Sequence, residues 1–353
     1  MSYHYQGRHV MQRKRRRRLN RRGGLLLALA CLICAGLLAL LIRGLSSRNV
    51  KAQPERTEEP LPVEEVIAPA ELEVPEEPEA PFSLRSDPDT RALGEEVLSE
   101  YAVFAEADTG RIISERNSDQ KMYPASMTKV LTLLVAAEHM PDTDGTFTMT
   151  RTIADYCYIH KCSVVGYEVG EEIPIRELFY GCILCSGADA SLALAELSAG
   201  SHEAFVDLMN EKAAELGISD TAHFTNCVGI FDEEHYCTAR DMAAILKAAL
   251  ANEHCRTVLS TPIYNSEPTV EHPEGQVLSN WFLRRIEIRD SGDVTVLCGK
   301  TGYVPESGNC AVSCGEDAAG HAYLCVTGKS SSQWQTIADH ALLYRTAGTG
   351  SEA

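Results

Sequence analysis

The sequence lacks the patterns that make a metal site. It has no H-E-x-x-H pair, its eleven histidines are scattered, and Cys182-x-x-Cys185 has no second pair at matching spacing. Metal-dependent hydrolysis is therefore set aside, the histidines are read as core or surface side chains, and neither a metal nor another cofactor is expected. No internal repeat is visible. Two further absences are local. The first 22 residues contain nine Lys or Arg but no acid, and the next twenty, Gly23 to Ile42, contain no charged side chain. About twenty apolar residues cross a roughly 30 Å hydrocarbon core. A cleaved signal has an apolar core of about 7–15 residues and a small-residue cleavage site, and no convincing site follows here.

What is present then divides the chain. Residues 1–22 read as a basic cytoplasmic arm and 23–43 as a retained transmembrane signal-anchor helix. A basic arm directly against an apolar span sets orientation, so nucleic acid is not expected as a partner. The N-terminus is placed inside, the remainder outside, with the cell membrane as the location. Residues 44–90 are acidic and hold eight of the fifteen prolines without a periodic apolar face. Such a segment buries too little surface to offset its ordering entropy, and it reads as an extended spacer. Residues 91–347 are globular in composition and long enough for one substantial domain, leaving 348–353 as a tail. Of thirteen cysteines, two lie in the apolar span, so eleven, an odd number, remain outside. Export permits disulfides, and Cys227 with Cys237 is one possible pair. For most of them the simpler reading is a small buried apolar side chain.

Within the globular part, "EYAVFAEADTGRIISERNSD" reads as two antiparallel strands around a glycine turn. Pro124 opens a helix in which Met127, Val130, Leu131, Leu134 and Ala137 form an apolar stripe. "IRELFYGCILCSGADASLALAELSAG" reads as two helices broken at Ser186-Gly187. Two more amphipathic helices follow, then three strand-like runs and a final helix, "SQWQTIADHALLY". Strands at both ends with helices between predict an α/β sandwich, an antiparallel sheet built from both termini and flanked by helices.

Three short motifs carry chemistry. Ser126 and Lys129, at i and i+3, share a helix face. Behind Pro124, Ser126 falls in the first turn, where free backbone N–H groups and the positive dipole end favour a developing anion. Lys300-Thr301-Gly302 follows a β-rich run, and the glycine permits close approach to a strand edge. Ser186-Gly187-Ala188-Asp189 sits at the helix break. Each alone is weak, and the bland alternatives are a helix-start serine, solvated lysines and a surface turn. All three in this order form the set of penicillin-binding proteins and class A β-lactamases.

On these motifs, and on "YAVFAEADTGRII", "PASMTKVLTLLVA", "ELFYGCILCSGADASLALAE", "HFTNCVGIFDEEHYCTARDMA" and "CGKTGYVPESGNC", the domain resembles the serine-type D-alanyl-D-alanine carboxypeptidases, the low-molecular-mass penicillin-binding proteins. The resemblance runs through most of residues 95–345. It implies the β-lactamase-like fold and removal of the terminal D-alanine from peptidoglycan stem pentapeptides through an acyl-enzyme, in cell-wall maturation. β-Lactams are then expected as covalent inhibitors. It also assigns roles: Ser126 nucleophile, Lys129 base, Ser186 proton relay. The backbone N–H groups of Ser126 and Tyr303 form the oxyanion hole, and Lys300, Thr301, Gly302 and Lys329 bind substrate, Thr301 at the terminal carboxylate. An ordinary lysine is neutral in only about one molecule in 2,500 at pH 7, so burial and the second cation, Lys300, must depress Lys129.

The chain departs from the family at Ala188, where asparagine is common, and at Lys329, where some relatives have arginine with its bidentate fork. The first departure supports the alternative of a catalytically weak wall-binding or regulatory protein, and a D,D-endopeptidase acting on cross-links is a further alternative. A class A β-lactamase would need a deacylating glutamate, and no convincing loop for it lies between Ser186 and Lys300.

Overall fold

A computed structural model describes residues 82–140 and 142–347. The basic arm, the apolar segment 23–43 and the spacer through residue 81 lie outside the described residues. Among the described residues no helix is long and apolar enough to cross a membrane.

In chain order, β1 (Arg91–Ala92), β2 (Tyr101–Glu106) and β3 (Ile112–Arg116) come first, followed by a 3-10 turn at Ala125–Met127 and α1 (Thr128–His139). A small hairpin, β4 (Thr146–Thr148) with β5 (Glu172–Pro174), brackets α2 (Arg151–Ile159). Five helices continue: α3 (Ile175–Leu184), α4 (Ala188–Ala199), α5 (His202–Glu215), α6 (Ala239–Ala251) and α7 (Glu253–Leu259). A second hairpin, β6 (Ile263–Asn265) and β7 (Val277–Ser279), precedes the one-turn α8 (Leu283–Ile286). The chain closes with β8 (Val294–Val304), β9 (Gly308–Asp317), β10 (Ala322–Ser330) and α9 (Gln333–Arg345).

The main sheet has the order β1-β3-β2-β10-β9-β8. It is therefore built from both ends of the domain, as the sequence implies, but it is mixed rather than wholly antiparallel. Arg91 and Ala92 pair in parallel with Ser114 and Glu115. The cause is the chain before β1. Arg85 donates its N–H to the Gly110 carbonyl at 2.9 Å and accepts from Ile112 at 2.8 Å, while Phe82 and Leu84 pack on the core. Residues 82–90 thus belong to the domain, not to the spacer.

Strand alternation assigns side chains to two cores. Ala102 and Phe104 of β2 join Tyr323, Cys325, Leu343 and Tyr344 beneath α9, whereas Val103 and Ala105 join the larger helical core with Leu324 and Val326. Both faces are covered, which gives the α/β sandwich. In α1 every residue from Thr128 to Ala137 is buried, not only the expected stripe. A helix enclosed on all sides is what an all-round small and apolar sequence favours. α6 begins at a capping box in which Thr238 and Asp241 satisfy each other's backbone N–H groups. All eleven described cysteines are free thiols, most of them buried, and Cys227 and Cys237 are not bridged.

Candidate active site

Three elements converge at the edge of the sheet. Ser126 lies in the 3-10 turn behind Pro124, and Ala125 before it takes φ +45°. That left-handed conformation is uncommon for a residue with a Cβ and stores strain. Two glycines make the turn possible. A Cβ on Gly302 of β8 would stand 2.9 Å from both the Pro124 carbonyl oxygen and the Ser126 nitrogen. A Cβ on Gly229, at φ +77°, would stand 2.0 Å from the Ala125 oxygen. Backbone is thus packed on backbone from two sides, and β8 lies against the serine's N–H.

Lys129 Nζ is 3.3 Å from Ser126 Oγ and donates to the Val228 carbonyl at 2.6 Å. The side chain is only 2% exposed, and burial pushes its pKa down. Surrounding thiols would favour the ammonium only as thiolates, but burial raises the pKa of Cys182 and of Cys227, so both are neutral at pH 7. The Val228 carbonyl is held in place by Asn226, whose Oδ1 accepts from Val228, Gly229 and Ile230 N–H at 3.2, 2.7 and 3.1 Å.

Ser186 occupies the break between α3 and α4 at φ +57°. Its Oγ accepts from Lys300 Nζ at 3.0 Å, and that ammonium also donates to the Thr301 carbonyl at 2.8 Å. Lys300 is 3% exposed, and its pKa is lowered to about 7, first by burial and then by the charge of Lys129. Coulomb repulsion is mutual, so each lysine favours the neutral form of the other. The sequence expectation named burial and the second cation, and burial is the largest cause for both lysines. Asp189 accepts from Val165 and Gly166 N–H, each at 2.9 Å, and so holds the loop carrying Ser163. Ala188 N–H donates to the Ser163 carbonyl at 2.8 Å.

Ser126, Ser186, Lys300, Thr301, Gly302 and Tyr303 line one cleft of about 280 Å³, with Lys129 buried beneath it. Ala188 is buried and does not line the cleft. Lys329 is not brought in either. It sits at φ +54° where the β9–β10 register shifts, and its ammonium pairs with Glu100 at 2.9 Å. Sequence reasoning missed the Asn226–Val228 support of Lys129 and the cleft wall of Ser163, Asn280 and Trp281. Asn280 had a signal, a side chain aimed to start a helix: its Oδ1 caps Phe282 and Leu283 N–H at 3.0 and 3.1 Å.

A hydroxyl beside a depressed amine, with a second amine–hydroxyl pair across the cleft and N–H groups at a strand edge, is the arrangement of a serine nucleophile set to form an acyl intermediate. The particular family follows from comparison. The model of the D-alanyl-D-alanine carboxypeptidase family, peptidase S11, matches residues 88–330, and the chain belongs to that family. It is 37% identical over 174 residues to the D-alanyl-D-alanine carboxypeptidase DacF of Bacillus subtilis, covering 49% of this chain and 43% of that protein. It is 31% identical over 212 residues to a D-alanyl-D-alanine carboxypeptidase of a Streptomyces species, covering 58% and 72%. The match thus spans less than half the length of the Bacillus protein. The crystal structure of the Streptomyces K15 DD-transpeptidase superposes with TM-score 0.63 at 25% identity, covering 71% of this chain and 98% of that one.

Proposed function

We propose that the chain is a penicillin-sensitive serine D-Ala-D-Ala carboxypeptidase that removes the terminal D-alanine of peptidoglycan stem peptides. The observation that carries this reading is the Ser126–Lys129 pair at 3.3 Å, opposite Ser186–Lys300 at 3.0 Å, in one cleft. Neutral Lys129 keeps one N–H on the Val228 carbonyl and offers its lone pair to the Ser126 hydroxyl. Ser126 Oγ then attacks the penultimate D-alanine carbonyl while its proton passes to Lys129. The oxyanion is met by the N–H groups of Ser126 and Tyr303, which need no reorganisation because Gly302 fixes strand against turn. Thr301 and charged Lys300 receive the substrate carboxylate, and Ser186 relays a proton to the leaving D-alanine. Water then releases the acyl group. β-Lactams enter the same path and stop at the acyl-enzyme.

The rate requires one lysine neutral and the other charged. Protonation of Lys129 on the acid side removes the base, and loss of the Lys300 proton as pH rises through about 7 removes the cation, so kcat/KM is bell-shaped with apparent pKa values that belong to the pair. The test is D-alanine release from an N-acyl-Lys-D-Ala-D-Ala peptide by the purified full-length chain beside Ser126→Ala. Release that disappears in the variant supports the reading, and no release from folded wild type counts against it. The proposed membrane attachment through residues 23–43 rests on composition. Full recovery of the protein in an alkaline-carbonate wash of membranes would contradict it.

A further inference from the structure

The chain has two tryptophans, and the fold sets them side by side. Trp281 lines the same cleft as Ser126 and Lys300. Trp334, in the first turn of α9 and 51% exposed, has its ring centroid 5.8 Å from that of Trp281. Two arginines stand on this pair. The Arg285 guanidinium carbon is 4.1 Å from the Trp281 centroid and 5.9 Å from Trp334, and that of Arg289 is 5.8 Å from Trp334. Arg285 donates from Nη1 to the Trp281 carbonyl at 3.2 Å, while its buried Nε has no hydrogen-bond partner.

Neighbouring Arg284 pairs with Glu287, but neither Arg285 nor Arg289 forms an ion pair among the described residues. The chain has fifty Asp and Glu against 32 Lys and Arg. Arg285 therefore stands against a tryptophan of the cleft wall with no carboxylate paired to it, while Arg289 lies farther out, lining a separate pocket with Glu287 and Asp290 but paired with neither. Stacking on an indole holds the guanidinium plane, so less entropy is lost when its fork meets a carboxylate. A carboxylate accepts two parallel N–H bonds from such a fork.

We propose that Arg285 and Arg289, held on Trp281 and Trp334, form a subsite for a carboxylate carried by the part of the peptide substrate that precedes the scissile bond. The substrate's terminal carboxylate is already assigned to Thr301 and Lys300, so this second site takes a different anion. The proposal rests on the carboxypeptidase reading and sharpens it, making the enzyme selective among stem peptides by their acidic groups.

The test compares two peptides on the purified full-length chain. One is N-acetyl-L-lysyl-D-alanyl-D-alanine, and the other differs only in a carboxylate added at the lysine ε-carbon, giving a diaminopimelyl residue. Labelling with a fluorescent penicillin counts competent sites in each preparation. Wild type is expected to favour the carboxylate peptide about tenfold in kcat/KM, mostly through KM. That preference should shrink with added salt, fall to about one in R285Q/R289Q and be partly kept in R285K. An equal kcat/KM for the two peptides in wild type, or an unchanged ratio in R285Q/R289Q, overturns the subsite. Wild type that takes no penicillin overturns the carboxypeptidase reading instead. Calorimetry with the same two peptides then decides the subsite alone, with equal Kd values against it.

Discussion

Two of the buried polar clusters among the described residues differ in one respect that matters. Beneath α9, Ser313 Oγ bonds His340 Nδ1 and the Tyr344 hydroxyl, each at 2.7 Å, and His340 Nε2 meets Thr327 Oγ1 at 3.0 Å. Nearby, Asp339 accepts from Ser99 N–H, Ser99 Oγ and Gln335. At the cleft, Ser126, Lys129, Ser186 and Lys300 are tied as tightly. Burial perturbs titration in both: His340 is lowered to about 3, and Lys300 to about 7. Perturbed pKa alone therefore does not mark chemistry. The cleft cluster differs in opening onto a cavity and in resting on strained backbone at Ala125 and Ser186. The α9 cluster is closed, and it locks a helix to a sheet.

The comparison is sharpest in paired serine substitutions. Ser126→Ala should lower acylation by roughly 10⁴-fold or more with little change in thermal midpoint. Ser313→Ala should leave turnover near wild type but cost about 1–3 kcal/mol, because His340 and Tyr344 lose a buried partner. Calorimetry and D-alanine release on the same samples separate the two. The opposite pattern would erase the distinction drawn between the clusters.

Next in size is the backbone packing. Gly229→Ala meets both a positive φ and the Ala125 carbonyl at 2.0 Å, so the turn that carries Ser126 must move. A displacement of this kind costs on the order of 10²-fold in kcat, read by steady-state kinetics. Retained kcat would show that the turn is not held from that side.

Lys300→Met is expected to lose activity and gain stability. A buried lysine with a depressed pKa costs folding free energy below its folded pKa, since the unfolded chain binds the proton more readily. That cost is relieved as pH rises from about 7 toward 10.4. Wild-type stability should gain more than the variant's across this window, by a few kcal/mol at most. Denaturant titrations at pH 7 and 9 check it. His340 and His235 act with the same sign in a more acid window, stability again rising with pH. Both are held neutral to about pH 3, so their contribution is lost as pH falls below about 6.5. The smallest effect is assigned to Lys329→Ala, no resolvable shift of the thermal midpoint, because its pair with Glu100 is exposed and screened by solvent.

Much of this was legible in the residues. Helices separated at Ser186-Gly187, the 101–116 hairpin and the three closing strands carry strong local patterns, and the motif order brought Ser126, Ser186 and Lys300 together before any coordinates. Other features needed tertiary context. The parallel β1 pairing depends on two backbone bonds of Arg85, which no side-chain period encodes. The Val228 carbonyl that supports Lys129 is a backbone group placed by Asn226, about one hundred residues away in sequence. Lys329 carried the right charge at a plausible position, yet its positive φ and Glu100 turn it from the cleft. The Trp281–Trp334 pair joins residues in different elements, so neither stood out alone.

The most direct measurement of the central claim is intact-mass and peptide mapping of the full-length chain after brief exposure to benzylpenicillin. The account predicts one penicilloyl adduct per chain, located on Ser126 within Tyr123–Lys129, with its formation slowed in Lys129→Met and Lys300→Met. An adduct on another residue, or none on folded protein, would contradict it.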